Sequence, residues 1–599
     1  MGKALTYYSL KKEELQRNID KLNKNGSFYS LLRLMIFIGA IAVMYIAYKN
    51  NNTSFMYLTA LIFGGLFLGV AYRHGRVLEE LKHSKARLKV MEKGLARLQE
   101  NFQDFQDRGE EYIDKDHPYS FDLDIFGEGS LFQRINGSST YLGRERLASE
   151  LNGTYKFTKE EIEERQEAIE ELADKADFRG ELEAIGIMEE GKKSSPEELL
   201  KWKDGREGLF SSGGFMSLVY GLNILTLIVV ILLVFNIVDY RILLLDLLIN
   251  GAFLLTGKRK RAEALKLIEL YKENINSYFK VVELIEKEAF ESRLLINLQN
   301  SLKEGEKSAA YQLKELAKIV NRLKDTHNAY YHLVNLAALM DYHVLHSLEK
   351  WRGSYGKSIE RWLDAAGKIE ALGSLGVINF ENEDYALPKL HEENILEGLG
   401  IGHPLLGKTA VVNDFSLKKP KSMVLITGSN MSGKSTFLRT LGLNLVLSYL
   451  GTRVRAESFT CGIMDIYTCM RINDNLKESI SSFYAELLRI KKIIEASSEG
   501  RPIFYLLDDI FKGTNSKDRH KGAEILLKQL MHRNTLGLVS THDLELTDME
   551  KTSPKVLNYH FREYYEDNKL KFDYKLRRGY STTQNALYLM RMIGIEEQE

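Results

Sequence analysis

Cysteine is nearly missing from this chain, with two in 599 residues, Cys461 and Cys469. Two thiols cannot build a disulfide framework. Eight residues apart and without a neighbouring His pair, they also make a poor zinc site, so both are expected in the core of a protein kept in a reducing compartment. Proline is scarce too, seven in all, which leaves long stretches free to be helical. Excess charge of either sign is absent. The 82 basic residues balance 82 acidic ones, so no global positive field announces a nucleic acid. No basic stripe with interleaved aromatics marks a nucleic-acid groove, and no internal repeat organises the chain. A cleavable leader is not expected, because the N-terminus opens on a charged amphipathic stretch and no small-residue cleavage site closes the first apolar run.

Long apolar runs are present instead. Leu34–Tyr48 and Phe55–Tyr72 flank a short Asn-rich turn, Asn50–Ser54. Met216–Phe235 and Tyr240–Thr256 form a second pair, interrupted by Asn223, Asp246 and Asn250, with Asn236 at the edge of the first. Each approaches the roughly 17–25 residues that cross a hydrocarbon core, and none shows the polar face of a surface helix. Four transmembrane helices in two hairpins are therefore expected. Lys11, Lys12, Arg17, Lys21 and Lys24 precede the first run, and Arg73, Arg76, Lys82, Lys85 and Arg87 follow the second. Lys258, Arg259, Lys260 and Arg261 follow the fourth, whereas the two turns carry only Lys49 and Arg241. Positive charge favours the cytoplasmic side, so both hairpins should enter from and return to the cytoplasm. Asp246 is costly in such a place. It faces the bundle, lies near the interface or marks a pathway.

The strongest chemical signal lies downstream. Gly428, Ser429, Asn430, Met431, Ser432, Gly433, Lys434, Ser435 and Thr436 complete a G-x-x-x-x-G-K-[ST] phosphate loop. It follows the strand-like run Met423–Ile426 and opens into the helix-patterned Phe437–Leu450. The glycines let backbone N–H groups turn inward around phosphate. Lys434 is expected to reach the β- and γ-phosphates and Ser435 to ligate Mg²⁺. The apolar run from Ile503 ends in Asp508 and Asp509, as a buried parallel strand carrying a metal-side carboxylate should. Asp508 is assigned to the metal and Asp509 to the general base. A third strand-like run, Leu536–Ser540, leads into Thr541 and His542, where an imidazole near the γ-phosphate can orient water.

Taken together, the segments Thr427–Arg439, Leu507–Ser516 and Ser540–Thr547 resemble the ATPase domain of the MutS mismatch-repair family, in that family's order and approximate spacing. Ser481-Ser-Phe-Tyr-Ala-Glu486 resembles the loop by which one subunit of that family reaches its partner's nucleotide, which makes Ser481 the candidate trans contact. His403, Pro404 and Val411–Asp414 are similar to the stretch that flanks adenine, so Val411 and Asn413 are implied in cofactor binding. Tyr141–Leu147, Glu160–Leu172 and Ile369–Leu375 resemble parts of the family's helical core. Two departures stand out: no Phe-x-Glu mismatch wedge precedes residue 119, and the family's Asp-Glu pair is here Asp508-Asp509, one methylene shorter at the presumed base.

The expected architecture is thus an α/β ABC-type P-loop ATPase domain with a long all-α core or lever domain and the two hairpins. The boundaries read as an amphipathic helix over 1–30, hairpin one over 31–73, a helical stalk over 74–118 and the first part of the core over 119–208. Hairpin two covers 209–257, the remaining core and lever helices 258–394, and the ATPase 395–599. The resemblance implies an ATP- and Mg²⁺-dependent ATPase, slow because of Asp509, that forms a homodimer through composite nucleotide sites. A conformational switch at the membrane, with membrane lipid as a partner, is the first reading. A DNA-mismatch-binding ATPase is the alternative, which neither the charge nor a wedge motif supports. A weakly hydrolysing membrane scaffold is the second alternative.

Overall fold

The computed structural model describes residues 2–50, 52–188, 195, 197, 201, 210, 212–304, 307–322, 329–471, 482–511, 515–566 and 569–581. They are mostly helical, with mixed α/β sheets toward the C-terminus. Two compact units result. The first gathers Met1–Leu95, Gly137–Arg146 and Lys175–Ala371, and the second Ala96–Asn136, Leu147–Asp174 and Leu372–Glu599.

In the first unit the amphipathic N-terminal stretch and the first apolar run form one helix, α1 (Lys3–Lys49), followed by α2 (Thr53–Leu98). The N-terminal half of α1 buries Ala4, Tyr8, Ile19 and Leu22, while Leu34, Met35, Phe37, Ile38 and Ile41 stay exposed on every side. Apolar side chains all round a helix with no protein covering them are what a lipid-facing segment shows. The two helices run antiparallel. Asn18 Nδ2 donates to Ser84 Oγ at 3.1 Å, and the Tyr8 ring lies against Gly94, where a Cβ would come within 2.5 Å of it.

The second apolar pair becomes α3 (Gly213–Val234) and α4 (Tyr240–Leu254). Among the described residues three helices, α1, α2 and α3, are long and apolar enough to cross a membrane. This differs from the four expected. The fourth run forms only 15 helical residues, which rise about 22 Å against the roughly 30 Å of hydrocarbon. A break follows at Thr256 and Gly257, where the chain turns left-handed (φ 66° at Gly257) before the helix Lys258–Lys287.

Two of the segments singled out in the sequence meet in this unit. Glu370, buried on α5 (Met340–Glu381), accepts hydrogen bonds from the Ser139 and Thr140 backbone N–H groups at 2.7 and 3.1 Å and from the Thr140 hydroxyl. It thereby holds the chain that enters the helix Tyr141–Leu151.

The second unit holds two sheets. Strands β1 (Lys389–His391), β2 (Ile395–Ile401), β3 (Asn413–Lys418) and β5 (Ser458–Gly462) form one, in the order β1-β5-β2-β3. The larger sheet contains β4 (Met423–Thr427), β6 (Asp465–Cys469), β7 (Ile503–Asp508), β8 (Thr535–Ser540), β9 (Val556–Glu566) and β10 (Lys569–Arg578). Its order is β10-β9-β4-β8-β7-β6, parallel throughout except for the β9–β10 hairpin. Period-two alternation divides its faces. Ile503, Tyr505 and Leu507 join a core with Ile490 and Ile493 of α7 (Ser482–Ser498) and Leu526, Leu527 and Leu530 of α8 (Ser516–Met531). Leu506 points the other way, toward α6 (Lys434–Leu450), where Gly442 permits close approach. Both faces are covered, so the strands read as continuous apolar runs. Cys461 and Cys469 are buried, as expected. Register brings Ile426, Asp508 and Ser540 side by side at the carboxyl ends of β4, β7 and β8. Ligand-binding loops of parallel sheets gather at such ends.

Candidate functional site

The loop from Gly428 to Gly433 joins β4 to α6, the strand–loop–helix arrangement a phosphate cradle needs. Gly428 and Gly433 have φ of 147° and 106°. A Cβ at Gly428 would stand 2.8 Å from the Ser432 hydroxyl and 3.1 Å from the Phe561 carbonyl, so the position excludes other residues. Met431 is also left-handed at φ 67° and its side chain is 84% exposed at the tip of the loop. Lys434 is buried at the centre. Its Nζ donates to the carbonyls of Gly428 at 2.8 Å and Ser429 at 2.9 Å. A single cation thus sits inside a ring of backbone, beside a helix N-terminus whose dipole also favours an anion.

Ser435 Oγ donates to Asp508 Oδ2 at 2.6 Å, and the Ser540 hydroxyl donates to the other carboxylate oxygen. The two expected Mg²⁺ ligands are therefore adjacent. An oxygen-only pair of this kind suits a hard cation that keeps most of its water. Asp509 follows the strand end in a left-handed conformation (φ 56°), with its N–H donated to Ser540 O at 3.0 Å. This turn separates the two neighbouring carboxylates and leaves Asp509 Oδ2 3.4 Å from His542 Nε2. The same ring nitrogen is 3.4 Å from Lys434 Nζ. Lys434, His542 and Asp509 are thereby linked. Glu486 on α7 pins the next turn by accepting from the Phe511 N–H.

One cavity of about 490 Å³ includes Ser429–Thr436, Val411, Asn413, Asp508, Asp509 and His542 in its wall. That volume lies within the usual range for a cofactor site. Gly428 stands behind the wall and presents its carbonyl to Lys434. Asn413 lines this cavity, and its amide donates to Tyr574 O at 3.0 Å and accepts from the Leu576 N–H at 2.8 Å, tying β3 to β10. Ser481 lies outside the described residues. On either side of 472–481, the buried Asp122 carboxylate bonds Thr468, Met470 and Arg471 before it and Arg489 after it.

Sequence reasoning missed Glu563, whose Oε2 accepts from Ser429 Oγ at 3.0 Å, and the neighbouring wall residues Phe561 and Tyr574. An acid two places from a buried Phe on a strand was the available signal. His403, flagged only as flanking, also lines the cavity. Burial, followed by the nearby Arg439 cation, pushes its pKa down from 6.5 to about 4. The fold keeps it neutral while the unfolded chain protonates it below 6.5. Stability should therefore fall as pH drops from 6.5 toward 4, and His403→Gln should flatten that part of a thermal-unfolding profile.

Residues 424–598 match the family model described as MutS domain V. Over that stretch the chain is similar to MutS domain V. Among curated relatives, a DNA mismatch repair protein MutS from Roseiflexus sp. (strain RS-1) is 30% identical over 222 residues, 36% of this chain and 20% of that protein. A DNA mismatch repair protein MutS from Methanosarcina mazei is 27% identical over 271 residues, 44% of this chain and 30% of the relative. An Endonuclease MutS2 from Carboxydothermus hydrogenoformans is 29% identical over 242 residues, covering 40% and 30% respectively. The chain thus spans between a fifth and a third of the length of these relatives. The domain V match begins inside β4 and takes in the loop Gly428–Thr436, Asp508, Asp509 and His542.

Proposed function

We propose that this chain is a membrane-anchored, ATP- and Mg²⁺-dependent conformational switch that closes as a homodimer through its nucleotide sites. The observation that carries the reading is the convergence of Lys434, the Ser435–Asp508 pair and the Asp509–His542 pair on one cavity at three adjacent strand ends. Lys434 and the loop N–H groups would bind the triphosphate, and Ser435 and Asp508 would hold Mg²⁺, which would supply charge neutralisation there. Asp509 orients the attacking water and takes its proton, with His542 fixing the carboxylate. Ser481 is assigned to the partner's nucleotide, so that ATP draws two copies together and hydrolysis releases them, an order-and-release cycle.

The exposed apolar surfaces of α1, α2 and α3 support the membrane anchor. We assign α4 as the fourth crossing. Its helix is short, and local thinning of the bilayer with the flanking Leu255 and Thr256 makes up the difference. The flanking cations then place both termini and the ATPase in the cytoplasm. Tags at the N- and C-termini should be protected in intact cells, while a label at Asn52 should be reached from outside. A C-terminus accessible from outside, or full recovery in the soluble fraction without detergent, would overturn the membrane reading.

A further inference from the structure

Four polar side chains of α3 and α4, Asn223, Thr226, Asp246 and Asn250, gather on one line. Asp246 is 4% exposed, Asn250 is wholly buried, and Thr226 is buried on the facing helix. Asn250 Nδ2 donates to Thr226 Oγ1 at 3.0 Å, and Thr226 Oγ1 donates to Leu222 O at 3.1 Å. Spacings of four and three residues put Asp246 one turn from Asn250, and Asn223 one turn from Thr226. At the far end Asn223 Nδ2 lies 2.6 Å from His343 Nε2 on the first turn of α5. These bonds use the donors of the ladder and leave acceptors over. Both Asp246 carboxylate oxygens and Asn250 Oδ1 are buried with no hydrogen-bond partner among the described residues.

Nor, among the described residues, does a cation pair with Asp246. Along α3 the sequence has no Asp, Glu, Lys, Arg or His, and Tyr220 is its one titratable side chain. Arg241 on α4 is exposed and lies beside Asp239. The helix Ala329–Ala338 packs on both α3 and α4, but its His332 is exposed and the Tyr331 hydroxyl is committed to Asp341. On α5, Asp341 also pairs with Arg261 at 3.4 Å, and His343 is engaged by Asn223. A buried carboxylate with a surplus of acceptor oxygens and no donor calls for a positive ion.

We propose that Asp246, with Asn250 one turn away, forms an intramembrane binding site for one monovalent cation, a proton or Na⁺. The proposal rests on the membrane reading of the α3–α4 hairpin. The hairpin is fastened to α5 at two points. Tyr342 donates to the carbonyls of Phe253 and Thr256 at 3.0 and 2.9 Å, and Asn223 meets His343 on the same turn. Occupancy at Asp246 is therefore felt by the helix that runs to Glu381.

The test uses the full chain in lipid nanodiscs and dicyclohexylcarbodiimide, a hydrophobic reagent that attacks protonated carboxyl groups in lipid, with the adduct located by peptide mass spectrometry. Asp246 should be labelled in the parent, and the adduct should vanish in Asp246→Asn protein that still binds ATP. Suppression of labelling when Na⁺ replaces choline at fixed pH identifies Na⁺ as the ligand, and Asn250→Leu should then lose that protection. Suppression by raised pH alone identifies the proton. No adduct at Asp246 in ATP-binding parent protein, or an adduct indifferent to both Na⁺ and pH, overturns the proposal. Recovery of the chain without membranes would defeat the membrane reading separately, since the same labelling can be read on that protein in plain buffer.

Discussion

Lys434→Ala is expected to remove tight ATP binding while leaving the chain folded. The side chain is buried, but its ammonium bonds to loop carbonyls and lies by the His542 ring, so it contributes little to the apolar core. Hydrogen bonds to charged groups contribute about 1.5–3 kcal/mol each. Losing two of them to phosphate corresponds to about 10²–10⁴ in affinity at 1.4 kcal/mol per decade. Titration with a fluorescent ATP analogue reads the loss directly, and an unchanged melting profile without nucleotide checks the fold. Lys434→Arg should not restore affinity, because a planar guanidinium does not fit a ring built around one point charge. Parent-like affinity in Lys434→Ala would remove the phosphate loop from the mechanism.

The second large effect concerns the two acids at the end of β7, which should fail in different ways. Asp508→Asn should weaken Mg²⁺-dependent binding, because its carboxylate is bonded to Ser435 at the metal position. Asp509→Asn should leave binding intact and slow hydrolysis by about 10²–10⁴-fold, the usual contribution of a positioned general base. Asp509 is one methylene shorter than Glu, and its left-handed backbone re-aims the carboxylate toward His542. Turnover in the parent should therefore be slow, and Asp509→Glu should raise it. His542→Ala should lower the rate with little change in affinity. Single-turnover hydrolysis separates these steps from binding. If Asp509→Asn turns over as fast as the parent, the base is His542 or another wall residue.

The phosphate loop could be read from sequence because its requirements are local. Two glycines at positive φ, one Lys and one hydroxyl must stand at fixed offsets between a strand and a helix. Asp508 and His542 were legible for a related reason, since each ends or follows an apolar run that can only be a covered strand. Glu563 and Asp122 were not. Their partners lie 134 and 367 residues away in Ser429 and Arg489, and only the tertiary fold brings them together. The seam that the Asn413 amide closes between β3 and β10 was hidden for the same reason. The apolar run Tyr240–Thr256 was long enough on paper, but helix geometry ends at Leu254 and leaves too short a rod. Composition can give the length of an apolar run but not where its helix stops.

Coupling of nucleotide to assembly is tested most directly by weighing the purified full chain in detergent or nanodiscs by mass photometry, without nucleotide, with Mg²⁺ and ATP, and with ADP. A shift from monomer to dimer in ATP is expected, reversed as ATP is consumed, persistent in Asp509→Asn and absent in Lys434→Ala. The same mass under all three nucleotide conditions, in protein shown to bind ATP, would contradict a switch that works by nucleotide-driven closure of two copies.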